Sequence, residues 1–106
     1  MIQTWAIKPH IKGDTFNSRK ITFPFDITDC RIDMQFKVTV RAGISFAWST
    51  EDNTFEKISS TEVIMKSRIL GEAVSGYISD LQVSFEDGTI YTYLRANLQI
   101  LQDVTT

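Results

Sequence analysis

Cysteine and histidine each occur once in the 106 residues, as Cys30 and His10, and proline only twice, as Pro9 and Pro24. A lone thiol closes no internal disulfide; it suits a reducing compartment or a fold indifferent to redox state. One thiol and one imidazole also fall short of the four nitrogen or sulfur ligands of a structural zinc site. CxxC, HExxH, GxSxG and phosphate-cradling glycine patterns are missing as well. Neither sign of charge dominates. The formal net charge is −2, so no basic field draws in nucleic acid or anionic lipid. No run approaches the ~18 apolar residues of a membrane helix, and "MIQTWAIKPH" has neither the basic start nor the apolar core of a secretory signal. The expectation is a protein with no cofactor, no metal, no nucleic-acid partner, no membrane span and no secretion signal.

What is present is ordinary for a soluble globular protein: 42% hydrophobic and 23% charged residues. The length predicts a single domain over residues 1–106, long enough to bury a core without staples. Repeats, linkers and low-complexity stretches are absent.

Period-two alternation is the dominant pattern. "ITFPFDI" sets Ile21, Phe23, Phe25 and Ile27 against Thr22, Pro24 and Asp26. "RIDMQFKVTV" sets Ile32, Met34, Phe36, Val38 and Val40 against polar neighbours. Both predict half-buried antiparallel strands, joined by a turn at "TDCR". Pro24 cannot donate to a ladder, which puts its strand at an edge or a bulge. "ISFAWS" predicts a strand with Ile44, Phe46 and Trp48 on one side. "TEDN" predicts a turn, and "TFEKI" the returning arm of a hairpin. "TWAIK" predicts a strand ended by Pro9, and "HIKGDTF" a loop turning at Gly13-Asp14. Residues 59–75 stay open between strand, loop and short helix: Ser59 and Glu62 match a capping box, while Val63, Ile64 and Ile69 are β-branched. A strand over about Glu62–Lys66 is the reading adopted.

The clearest signal is "SFEDGTIYTY". Asp87-Gly88 predicts a two-residue type I′ turn flanked by Glu86 and Thr89. Counting outward places Phe85 opposite Ile90, Leu81 opposite Leu94 and Tyr77 opposite Leu98. The other face pairs Ser84 with Tyr91, Gln82 with Tyr93 and Asp80 with Arg95, the last a cross-strand ion pair worth ~0.2–1 kcal/mol. About seven short strands with close turns predict an all-β fold, an immunoglobulin-like antiparallel β-sandwich with a long C-terminal hairpin, or a small barrel.

Residues that could carry chemistry are few. His10 has no recognisable nucleophile or orienting partner and reads as structural. Cys30 sits in a turn with no arrangement to lower its pKa and reads as a passive thiol. Asp26, Asp29 and Asp33, and Glu51-Asp52-Asn53, match no calcium loop and read as solvated turns. Tyr91, Tyr93 and Arg95 share the polar face of the last hairpin. Aromatics and Arg so placed form a candidate interface, with ordinary cross-strand pairing as the alternative. Bases could stack on these tyrosines, but the acidic balance opposes it.

Three segments in order, "KGDTF", "GYISDLQVSFEDG" and "TYLRANLQILQDVTT", resemble small phage and prophage structural proteins, in particular the N-terminal domain of siphophage upper baseplate proteins. The matching positions are Gly13, Asp14 and Thr15; Gly76, Tyr77 and Asp80; the turn Asp87-Gly88; and Asp103, Val104 and Thr105. Ala96 stands where such proteins usually carry glycine. The resemblance implies a non-enzymatic tail or baseplate part, assembling with its own copies or with other tail proteins, found in the virion or the bacterial host cytoplasm. Ending after "QDVTT", the chain is expected to be a stand-alone tail component or an adaptor. The alternative is a small bacterial carbohydrate- or protein-binding β-sandwich in which Trp5 or Trp48 supports a sugar ring. Trp48 alternates with core residues; Trp5 is open. An enzyme would need a pocket converging on His10 with acidic partners.

Overall fold

The computed structural model describes residues 3–102. They contain no helix and form eleven short strands: β1 (Gln3–Ala6), β2 (His10–Ile11), β3 (Thr15–Phe16), β4 (Arg19–Thr22), β5 (Arg31–Phe36), β6 (Phe46–Ser49), β7 (Phe55–Lys57), β8 (Glu62–Met65), β9 (Arg68–Ile69), β10 (Ser75–Ser84) and β11 (Ile90–Leu101). The large sheet runs β1-β11-β10-β5-β6, with β2 also on β11; β4-β8-β7 form a second sheet and β3-β9 a third. Inner residues of the two larger sheets, among them Ile32, Met34, Trp48, Leu81, Ile21, Val63 and Met65, share one buried cluster. The protein is thus all-β and multi-sheeted, consistent with a sandwich. It is not purely antiparallel, because β1 and β2 both run parallel to β11.

The alternating stretches became strands for the expected reason: one face of each supplies the core. The burial of β5 follows Ile32, Met34 and Phe36, and that of β10 follows Tyr77, Ser79, Leu81 and Val83. β4 is an edge strand and ends at Thr22, before Pro24. Ser59 and Glu62 do not cap a helix; they close the β7–β8 turn, where the Ile58 N–H donates to the Glu62 carbonyl at 3.0 Å.

Two connections differ from the expected ones. β7 pairs with β8 and not with β6, so "TEDN" is no hairpin turn. It carries the chain from the large sheet to the second one, which lets Trp48 and Phe55 both enter the core. Val38, Val40 and Ile44, expected to extend inner faces, are exposed. Pairing of β5 with β10 ends at the Lys37–Ile78 bridge, and the chain turns at Thr39–Ala42, so no strand covers these side chains.

The long hairpin is present but its turn is one residue longer. The Phe85 N–H donates to the Thr89 carbonyl at 2.8 Å and the Gly88 N–H to the Phe85 carbonyl at 3.0 Å. Gly88 has φ 91°, and among described non-glycine residues only Asn53 has positive φ. A type I′ turn needs positive φ at both central residues, which Asp87 does not adopt. The loop is Glu86–Gly88, a type I turn followed by a left-handed glycine. Next to it the pairs are Ser84–Ile90, Val83–Tyr91 and Gln82–Thr92. A bulge between Leu81 and Gln82 leaves Tyr93 over, and from there the expected pairs Leu81–Leu94, Asp80–Arg95 and Tyr77–Leu98 hold. Without the bulge the longer loop would turn Leu94, Ala96 and Leu98 outward.

Candidate functional site

The bulge decides where the proposed interface residues lie. Tyr91 pairs with inward-facing Val83, and its ring meets Phe25 edge-on at 5.7 Å. Tyr93 packs on Phe23 at 4.8 Å, and its hydroxyl donates to the Thr22 carbonyl at 3.2 Å. Both rings therefore face the second sheet. Arg95, beyond the bulge, lies on the outer face with its Nε 2.9 Å from Asp80. The three residues do not share a face, because a bulge residue shifts the parity of everything after it.

On the outer face of the large sheet a hollow of about 320 Å³ is lined by Asp33, Gln35, Lys37, Val40, Ile78, Ser79, Asp80, Gln82 and Arg95. Strand pairing places these residues. Asp33 of β5 lies opposite Gln82 of β10, and Asp80 of β10 opposite Arg95 of β11. Asp33 is held by the Arg31 Nε at 2.7 Å and the Ser49 hydroxyl at 2.6 Å. The backbones of Lys37 and Ile78 exchange hydrogen bonds of 2.9 and 2.7 Å. Val40, 78% exposed, stands at its rim. Of the charged groups here, Asp80 and Arg95 hold one another and Arg31 holds Asp33, while the Lys37 ammonium is in no ion pair and the Gln35 and Gln82 amides have no hydrogen-bond partner among the described residues. Such a surface can recognise a polar chain by hydrogen bonds around an apolar spot. Of the sequence candidates Asp33, Asp80 and Arg95 belong to it. Alternation marked Gln35 and Gln82 as outward, but only pairing shows that they converge.

The remaining candidates lie apart. His10 offers its Nε2 2.9 Å from the Asp14 carbonyl and its ring to Phe16. Cys30 is a free, buried thiol, and burial raises its pKa. Gly13 has φ 91°, and the Asp14 carbonyl also accepts from the Leu70 N–H at 3.2 Å. Thr15 pairs with Ile69, and Gly76 lies opposite Gln99. Asp103 lies outside the described residues. Trp48 is fully buried; its indole N–H donates to the Lys66 carbonyl at 2.9 Å and the Arg68 guanidinium lies 4.2 Å from its ring centre. Trp5 is half-buried in a cleft with Lys8, His10, Phe16 and Asn17, and the Arg19 guanidinium stands 4.5 Å from its ring.

Acidic side chains gather at one end of the molecule. Around the β10–β11 turn lie Asp26, Asp29, Glu51, Asp52, Glu86 and Asp87, against Arg31 and Lys57. Towards the far ends of β10 and β11 lie Lys8, Lys12 and Lys37, with Asp14 and Glu72. None of those three cations is in an ion pair among the described residues.

No protein-family model matches the chain, and a comparison with curated proteins finds no match.

Proposed function

We propose that the protein is a non-enzymatic docking module, an immunoglobulin-like β-sandwich that serves as a phage or prophage tail or baseplate part through protein contacts. The phage assignment rests on the resemblance of the segments around Gly13–Thr15, Gly76–Asp80 and Asp87-Gly88. The docking reading rests on one observation: the outer hollow combines the Asp80–Arg95 ion pair, the Lys37 ammonium, the Gln35 and Gln82 amides and the exposed Val40. Ser49, the hydroxyl nearest a carboxylate there, donates to Asp33 with no imidazole beside it.

Two measurements test the reading. Particles purified by density gradient from a host carrying the gene should contain the chain, and particles free of it overturn the phage assignment. Val40→Glu with Gln82→Arg should weaken capture of tail proteins by tenfold or more, taking a hot-spot loss as about 2 kcal/mol, without lowering the unfolding midpoint. Unchanged capture removes the hollow as the docking site. The carbohydrate reading keeps one support, the half-buried Trp5 in its cleft. Quenching of Trp5 emission by glycans in a Trp48→Phe background would favour it.

A further inference from the structure

Trp5 and Arg19 meet where the edges of two sheets come together. Trp5 lies on β1, an edge of the large sheet, and Arg19 on β4, an edge of the second. Trp5 packs against the core cluster, and the Arg19 guanidinium lies over its ring, 4.5 Å from the centre. Cation–π attraction holds the guanidinium there and leaves its N–H groups free to donate. Among the described residues Arg31, Arg68 and Arg95 direct N–H groups to protein oxygens. Arg19 and Arg41 do not, and of those two only Arg19 is seated on a ring. The cleft beside it has a volume of about 300 Å³, at the small end for ligand sites of ~300–1,000 Å³. Lys8 is a second cation on its wall, in no ion pair among the described residues. No aspartate or glutamate among the described residues lines it; Asp14, next to Thr15 in the sequence, turns its carbonyl to the His10 Nε2. Thr15, Asn17 and Ser18 supply hydroxyl and amide groups, and Ile7 and Pro9 an apolar wall.

We propose that this cleft binds an acidic sugar, a pyranose carrying a carboxylate or a phosphate, with Arg19 as its anchor. The proposal rests on the carbohydrate reading of the cleft and changes its chemistry. A guanidinium lying over Trp5 bars a sugar from that face of the ring, so the charged substituent and not the indole fixes the ligand. Paired guanidinium N–H groups match two oxygens of a carboxylate or phosphate, and Lys8 adds a point charge from the facing wall. The hydroxyl and amide groups of Thr15, Asn17 and Ser18 meet the sugar hydroxyls, and Ile7 and Pro9 its C–H surface. A neutral sugar would leave both cations without a partner. The proposal is independent of the assignment to a virion and of the outer hollow.

Two-dimensional NMR on the full chain tests it, because of the two tryptophans only Trp5 lines the cleft. Glucuronate and glucose 6-phosphate, each added to about 10 mM to saturate a site with a Kd of ~1 mM, should shift the Trp5 indole N–H and Arg19 Nε–H signals and leave Trp48 unmoved. Neutral glucose should shift neither. Binding of one acid alone identifies the charged group as carboxylate or phosphate. Arg19→Lys keeps the charge but loses the fork, and should weaken binding tenfold or more; unchanged signal dispersion shows that the variant folds. Glucose binding as well as the acids overturns the acidic anchor and leaves the carbohydrate reading standing, while silence from all three sugars overturns both. Inorganic phosphate binding as well as glucose 6-phosphate overturns the sugar and leaves a simple anion site. Full binding by Arg19→Lys overturns the proposal. Asp103→Asn should leave the affinity unchanged; a tenfold gain would mean that the chain's own carboxylate fills the site, and overturns it too.

Discussion

Three aspartates do the same local work. Asp26, Asp52 and Asp87 each stand two residues before a threonine, and each Oδ1 accepts that threonine's backbone N–H, at 2.8, 3.1 and 2.9 Å. An Asx turn of this kind reverses the chain without help from a neighbouring strand. All three carboxyls are held below the usual range. The threonine hydroxyl is the main cause at Asp26 and Asp52, and the Thr89 N–H at Asp87. Since the folded pKa lies below the unfolded one, this stabilisation is present above the ordinary value near ~3.9 and fades as pH falls through the folded pKa. Thr28→Val should raise the Asp26 pKa towards that ordinary value, as read from carboxyl carbon shifts in an NMR titration. An unmoved titration would remove the hydroxyl as the cause. Glycine announces the Asp87-Gly88 turn in the sequence; the shared Asp-x-Thr spacing is equally legible and marks all three reversals.

At the scale of elements, the hairpin and the β6 edge carry the sharpest expectations. Gly88 holds φ 91° with no atom near enough to obstruct a Cβ, so Gly88→Ala tests backbone strain alone. It should lower stability by about 1–2 kcal/mol, measured by urea unfolding, and no loss would contradict the left-handed loop. Arg68 donates to the Ala47 carbonyl at 2.7 Å, covering part of the edge of β6, which is the last strand of its sheet. Arg68→Ala should cost about 1.5–3 kcal/mol and speed aggregation seen by light scattering, because an open edge invites pairing with another chain. Stability preserved in that variant would mean that the edge needs no cover. The bulge at Tyr93 shows what a strand pattern leaves open. "TIYTYLRANLQI" alternates without interruption, so the pattern allows either turn length. The extra loop residue and the bulge compensate one another, which is why the lower pairs were legible and the upper ones were not.

In the whole molecule, one core ties the sheets together, and its two tryptophans differ. Trp48 is 0% exposed and hydrogen-bonded; Trp5 is partly exposed. Acrylamide should quench Trp5→Phe protein far less than Trp48→Phe protein, and the Trp48 emission should be the bluer of the two. Equal quenching would mean that Trp48 is not enclosed. Cys30, buried among the same residues, should react with a thiol reagent only slowly until the chain unfolds. Surface chemistry is distributed on this scale as well, with an outer hollow on one sheet and acidic side chains gathered around the β10–β11 turn.

By itself the sequence determined the all-β class, the inward set Ile32, Met34, Phe36, Leu81, Leu94 and Leu98, and the places where the chain turns. These follow from side-chain period and turn chemistry, which act over a few residues. Only the tertiary structure decided that β7 leaves β6 for β8, that β1 and β2 run parallel to β11, and that Tyr91 and Tyr93 face away from Arg95. Each of those is a choice among distant partners, settled by which pairing lets all the apolar faces close on one core.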